Sequence, residues 1–164
     1  MSKTSTNLQN AFAGESQANR KYLAFAKKAD QEGYKQVAKL FRAVAEAETV
    51  HAHSHLREMG GIKGTKENLE AALNGEVFEF EKMYPQMIAE ARAEGAKEAE
   101  KSFNYANEVE KIHAGLYKKA IAALGKNEDA DYYVCSVCGY TLENEPPDVC
   151  PVCSSKKQAF RKVD

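Results

Sequence analysis

Apolar residues recur at intervals of three and four along most of the first 124 positions, the period of helices with one inward face. Four long helices are predicted. The first runs from near Asn7 to Gln31, with Leu8, Ala11, Phe12, Ala18, Tyr22, Phe25, Ala26 and Ala29 on its inward stripe. Thr4, Ser5 and Thr6 offer N-caps, and Gly33 suits its end. The second spans about 35–58, with Val37, Leu40, Phe41 and Val44 inward, and Gly60-Gly61 ends it. The third covers about 76–94, with Phe80, Met83, Tyr84, Met87 and Ile88 inward. Pro85 falls inside it, so a kink or rearranged turn is expected there. The fourth covers about 97–124, with Phe103, Ala106, Tyr117 and Ile121 inward, and Gly125 stops it.

The second and third helices are joined by the segment "GGIKGTKENLEAALNG", long enough to cross a bundle, with "TKENLEAAL" readable as a short helix inside it. Four helices with one long crossover is the ferritin-like topology. The chain also repeats itself. "EGYKQVAKLFRAVAEAETVHA" from Glu32 and "EGAKEAEKSFNYANEVEKIHA" from Glu94 share identical residues at an offset of 62 positions, among them Glu48 with Glu110 and His51 with His113. That period exceeds those of solenoid repeats and fits two helical hairpins related by a pseudo-twofold axis.

Carboxylates interrupt the apolar stripes at Glu15, Glu48 and Glu110, and Glu79 lies in or beside the stripe of the third helix. A carboxylate facing a core costs several kcal/mol unless it is paired or metal-bound. Glu48-x-x-His51 and Glu110-x-x-His113 put each Glu and His about one turn apart on one face. One Glu from each of two helices, with a Glu-x-x-His from each of the others, is the inventory of a di-iron or di-manganese site in ferritin-like bundles. Four carboxylates at about −4 balance two divalent cations. Oxygen-rich ligands with two imidazoles suit Fe or Mn. Repetition alone does not make a ligand: Glu46 and Glu108 also repeat, but off the stripe, and are expected to be exposed or paired with lysines. His51 is the expected ligand within "ETVHAHSH". His53, about 200° round the helix, is expected to be exposed, and His55 lies on the inward side. A Glu48-His51-His55 zinc site is the minority alternative. Tyr22, two turns after Glu15, is a candidate hydrogen-bond partner for a metal-bound carboxylate, with a core tyrosine as the competing reading.

Composition changes near residue 126. Three of the four prolines and all four cysteines follow it. The expected division is a helical domain over 1–126, a linker over 127–131 and a Cys-bearing module over 132–164. "CSVCGY" and "CPVC" place Cys135, Cys138, Cys150 and Cys153 as two turns that aim four sulfurs at one ion. Spacing does not separate iron from a structural zinc ribbon, but a neighbouring redox site gives a one-electron centre a use. So small a module needs the metal as its main staple. The net charge of −1 gives no basic field for nucleic acid or membrane. The N-terminus has no hydrophobic signal region, so a soluble cytoplasmic protein with reduced thiols is expected.

Over essentially its full length the chain resembles the rubrerythrin family. The resemblance is carried by "AFAGESQANRKYLAFAKKA", "AEAETVHA", "GEVFEFEKMYP", "EVEKIHAGLY" and the ending "CSVCGY…CPVC". It implies a ferritin-like di-iron domain joined to a rubredoxin-like Fe(Cys)4 domain, and reduction of hydrogen peroxide to water at the di-iron centre. Electrons would enter through Fe(Cys)4 from rubredoxin or an NADH-dependent reductase. It also implies a homodimer or higher homo-oligomer, with one subunit's Fe(Cys)4 facing the other's di-iron site. The implied di-iron ligands are Glu15, Glu48, His51, Glu79, Glu110 and His113, and the four cysteines hold the third iron. One departure is expected to matter: counting one turn on from Glu79, Lys82 stands where the family offers a second carboxylate. Two other readings remain from the residues, a ferroxidase or iron-handling protein and a structural zinc-binding protein.

Overall fold

The computed structural model describes residues 2–163. The chain falls into two compact units, Met1–Lys63 and Gly64–Asp164, a division that lies inside the 1–126 segment.

The first unit is a hairpin of α1 (Lys3–Gln31) and α2 (Lys35–Glu58). Ser2 caps α1, its hydroxyl accepting from the Ser5 amide at 3.1 Å, earlier than the Thr4–Thr6 caps expected. A glycine with φ of 84° closes α1: Gly33 N–H donates to Asp30 O and Tyr34 N–H to Ala29 O, the paired bonds of a Schellman end. The seam is built from small residues. Asn19 and Ala26 on α1 and Ala38, Ala45 and Ala52 on α2 are buried at seven-residue spacing. Small side chains let the two backbones approach, and a seven-residue period keeps them on one line. Asn19 locks the register, its amide donating to Ala45 O at 2.7 Å and to Thr49 Oγ1 at 2.8 Å. The expected inward stripe was therefore too broad. Phe25, Val37 and Leu40 are 47%, 44% and 62% exposed, because the closest line between the two helices is the alanine seam.

In the second unit, α3 (Thr65–Phe78) begins well before the predicted start at 76, and "TKENLEAAL" is its opening rather than a separate helix. Only residues 59–64 lie between α2 and α3. A π-helical turn over Glu79–Met83 joins α3 to α4 (Tyr84–Ala93). This is the rearrangement expected at Pro85. The ring would clash with the carbonyl four residues back and has no N–H to donate, and a wider turn relieves both. A Schellman end at Gly95 repeats that at Gly33: Gly95 N–H donates to Arg92 O and Ala96 N–H to Ala91 O. Then α5 (Lys97–Ala122) packs along α3 and α4.

The rest of this unit is a three-stranded antiparallel sheet in the order β2-β1-β3, from β1 (Tyr132–Cys135), β2 (Thr141–Glu143) and β3 (Phe160–Val163). A 3-10 turn at Lys157–Ala159 leads into β3. The first cysteine turn, between β1 and β2, lies against α5, where a Cβ on Gly139 would stand 3.8 Å from Val109 Cγ1.

Candidate metal centres

The two cysteine turns have the same backbone design. Cys135 N–H donates to Tyr140 O and Gly139 N–H to Cys135 O; Cys150 N–H donates to Ser155 O and Ser154 N–H to Cys150 O. The fifth residue of each takes a left-handed φ, 85° at Gly139 and 60° at Ser154. The sulfurs converge: Cys135 and Cys153 Sγ are 3.7 Å apart, and Cys138 and Cys150 Sγ are 3.6 Å apart. A tetrahedral ion with sulfur bonds near 2.3 Å requires an edge of about 3.8 Å, so the four thiols fit a single ion. Burial pushes the Cys138 and Cys150 thiols up. Burial acts the same way on Cys153, but hydrogen bonding with Ser155 and the neighbouring thiols brings it down to about 6. A bound cation would reverse that burial cost, since a coordinating thiol gives up its proton.

Two carboxylate–histidine groups form, one in each unit. Glu15, Glu48 and His51 offer ligand atoms within 4.8 Å of one another. His51 Nδ1 is 2.9 Å from Glu48 Oε2 and 4.0 Å from Glu15 Oε1. In the second unit the group is Glu76, Glu110 and His113. His113 Nδ1 is 2.8 Å from Glu110 Oε2 and 3.5 Å from Glu76 Oε2. Each Glu-x-x-His pair closes across one helical turn, as the spacing predicts. Burial, with a hydrogen bond from the Glu76 carboxyl, raises Glu110 to about 7. Burial and then the Glu76 charge raise Glu79. Burial and then the Glu110, Glu79 and Glu76 charges raise the Tyr84 hydroxyl. Carboxyls crowded this closely ionise together only when a cation shares the site, so the donor set suits a hard metal such as iron.

Family models match on both segments: rubrerythrin over residues 6–121, and the rubrerythrin rubredoxin-like domain over residues 133–161. The chain belongs to the rubrerythrin family. It is 36% identical to rubrerythrin-2 of Clostridium acetobutylicum, covering 96% of this chain and 95% of that one. It is 37% identical to nigerythrin of Nitratidesulfovibrio vulgaris, covering 96% and 85%. Solved structures of nigerythrin in the mixed-valence and partially reduced states are similar over 99% of this chain and 88% of theirs, with TM-scores of 0.59 and 0.61 at 34% and 33% identity. The ferritin-like helical fold with a C-terminal four-cysteine module is thus the family's. Its cofactors, a carboxylate–histidine di-iron site and an iron held by four cysteines, match the donor sets above.

The second unit corrects the account of the third rubrerythrin helix. Glu76, one turn before Glu79, is the carboxylate that meets Glu110 and His113. Glu76-x-x-Glu79 thus places two carboxylates about one turn apart at this end of the helix, and Lys82 lies exposed on the π turn. The sequence held the signal. Glu15 precedes Gly33 by 18 residues, while Glu76 precedes Gly95 by 19. The extra residue is the one a π turn absorbs, so Glu76 is the repeat partner of Glu15. Glu79 stands within electrostatic reach of Glu110 but outside the close group. Tyr22 stacks with Phe25 and Phe41, at centroid distances of 6.3 and 6.2 Å. Tyr84, which the periodicity treated as packing, is the tyrosine beside the carboxylates. His53 is exposed and His55 half-buried, and neither joins a ligand group. Glu46 and Glu108 are exposed, Glu108 pairing with Lys111 at 2.5 Å.

Proposed function

We propose that this chain is a non-haem di-iron peroxide reductase, reducing hydrogen peroxide to water with electrons delivered through the cysteine-bound iron by rubredoxin or an NADH-dependent reductase. The observation that carries the reading is the contact between the two kinds of centre in one unit: His113 Nε2 lies 3.0 Å from Thr141 Oγ1, at the end of the first cysteine turn. An iron-storing protein has no use for an electron inlet so placed. Glu15, Glu48, His51, Glu76, Glu79, Glu110 and His113 would serve as the di-iron ligands, and Cys135, Cys138, Cys150 and Cys153 would hold the third iron. When bound, the paired irons supply two electrons and Lewis acidity to the O–O bond.

The chain's own residues supply charge and protons. Reduction of one peroxide to two waters takes two protons as well as two electrons. The Tyr84 hydroxyl, shifted upward by burial and by the Glu110, Glu79 and Glu76 charges, carries a proton next to the His113 group, and burial beside Glu76 shifts the Glu79 carboxyl in the same direction. A cavity of about 460 Å³ reaches Glu76 and His113 from the side of Leu69, Leu116 and Tyr132, wide enough for so small an oxidant. Exposed Phe25, Val37, Leu40 and Val50 support association with a second copy of the chain. In functional terms residues 1–126 form the di-iron segment, 127–131 a linker and 132–164 the electron-accepting module. Free thiols fit a reducing cytoplasm. No helix among the described residues is long and apolar enough to cross a membrane.

The test is NADH oxidation driven by peroxide in the presence of a suitable reductase, on protein whose iron content has been measured. Peroxide-dependent turnover yielding water is expected. No turnover with both centres loaded overturns the reading, and accumulation of ferric mineral in its place supports a ferroxidase. The red spectrum of ferric iron bound by four thiolates is expected; a colourless, zinc-loaded native protein overturns the electron-inlet role.

A further inference from the structure

We propose that Thr141 is a positioning residue that ties the first cysteine turn to His113 and fixes which imidazole nitrogen is offered to the metal. The inference rests on His113 being a ligand, as proposed above. Thr141 opens β2, and its hydroxyl donates to Gly139 O at 2.9 Å. A hydroxyl has one proton, and here it is committed to the carbonyl. Toward His113 Nε2, 3.0 Å away, Thr141 Oγ1 therefore acts as acceptor, and Nε2 must carry hydrogen. A neutral imidazole has only one N–H, so Nδ1 keeps its lone pair. That nitrogen is the one facing Glu110 and Glu76, at 2.8 and 3.5 Å.

Metal-bound histidines commonly donate their second ring nitrogen to an outer partner, which orients the ring and raises its basicity. Here that partner belongs to the cysteine module. From Cys138 the connection runs through the Gly139 peptide, its carbonyl, the Thr141 hydroxyl and the His113 ring. Gly139, which takes a left-handed φ, rests on α5 beside Val109. The two histidines are not equivalent in this respect. His113 is 26% exposed and held by the module, whereas His51 is 56% exposed.

The test uses the full chain loaded with zinc, which is diamagnetic, and nitrogen-15 NMR of the imidazoles. For the unsubstituted protein, His113 is expected to show zinc-bound Nδ1 and protonated Nε2, with its proton protected from solvent exchange. Thr141→Val should speed that exchange at least tenfold, and Thr141→Ser, which keeps the hydroxyl, should restore protection. Zinc bound through Nε2 in the unsubstituted protein overturns the proposal without any variant. So does Thr141→Val with unchanged exchange, or Thr141→Ser that fails to restore it while the His113 nitrogen shifts stay zinc-bound. None of these outcomes depends on peroxide turnover, so failure here and failure of the functional reading are separable.

Discussion

At the scale of single residues, the second unit concentrates charge that only a cation or a proton can relieve. Glu110, raised to about 7 from an ordinary 4.5, is the clearest case. Below about pH 4.5 both folded and unfolded metal-free chains hold its proton. Between 4.5 and 7 only the folded chain does, so stability falls as the pH rises, and the loss is complete above about 7. Denaturant titrations of the metal-free protein across that window should show the decline, and Glu110→Gln should flatten it. Metal affinity should run the other way, rising with pH up to about 7 as the competing proton leaves. Glu76→Gln tests the carboxylate that the periodicity overlooked. It should weaken iron binding by roughly 10- to 100-fold, judged by the effect typical of losing a group that supports a metal site, read as metal retained after dialysis. Glu108→Gln, at an exposed repeat position, should change nothing.

At the scale of elements, the two hairpins share one plan with one residue of difference. The Schellman ends at Gly33 and Gly95 have φ of 84° and 69°. Gly95→Ala should destabilise the protein by about 1–2 kcal/mol, the cost of a left-handed Cβ, measured by thermal unfolding. The π turn absorbs the odd residue and keeps Glu76 against Glu110 and His113. Deleting Lys82 should close it toward α-helical phase and rotate α3 by about 100° relative to α4, carrying Glu76 away from its partners. Iron binding at that group should be lost on deletion and retained in Lys82→Ala. Loss in both would mean that the Lys82 side chain, rather than the spacing, matters. The helical stretches, their glycine ends and the Glu-x-x-His pairs were legible from period and capping residues, whereas the starts of α1 and α3 were not. Pro85 marked a rearranged turn there, but not that the turn is π-helical or that its extra residue brings Glu76 rather than Glu79 onto the group.

At the scale of the molecule, the cysteine module has almost no apolar core of its own; Cys135 and Cys150 are its fully buried side chains. Its stability must come from a metal. Chelation that empties the four thiols should abolish the β-sheet signal and the contact with α5 while leaving the helical signal largely intact, seen by circular dichroism and by exchange of the β1 amides. An unchanged sheet after complete metal removal would show that Lys119–Glu143, Lys157–Glu145 and similar surface ion pairs are enough to hold it, contrary to their usual small contribution.

What is local or periodic could be read from the chain alone: the helical stretches, the glycine ends, the Glu-x-x-His pairs at 48–51 and 110–113, and the four-cysteine site. Each depends on residues a few positions apart, whose geometry the helical or turn backbone prescribes. The rest came from packing. It set which of Glu76 and Glu79 closes on His113, because that depends on a π turn formed against Pro85. It narrowed the apolar stripe of the first hairpin to an alanine seam, because helix packing selects the closest-fitting face. It also brought Thr141 to His113 across 28 residues, a contact that no spacing encodes because it requires a strand and a helix to pack.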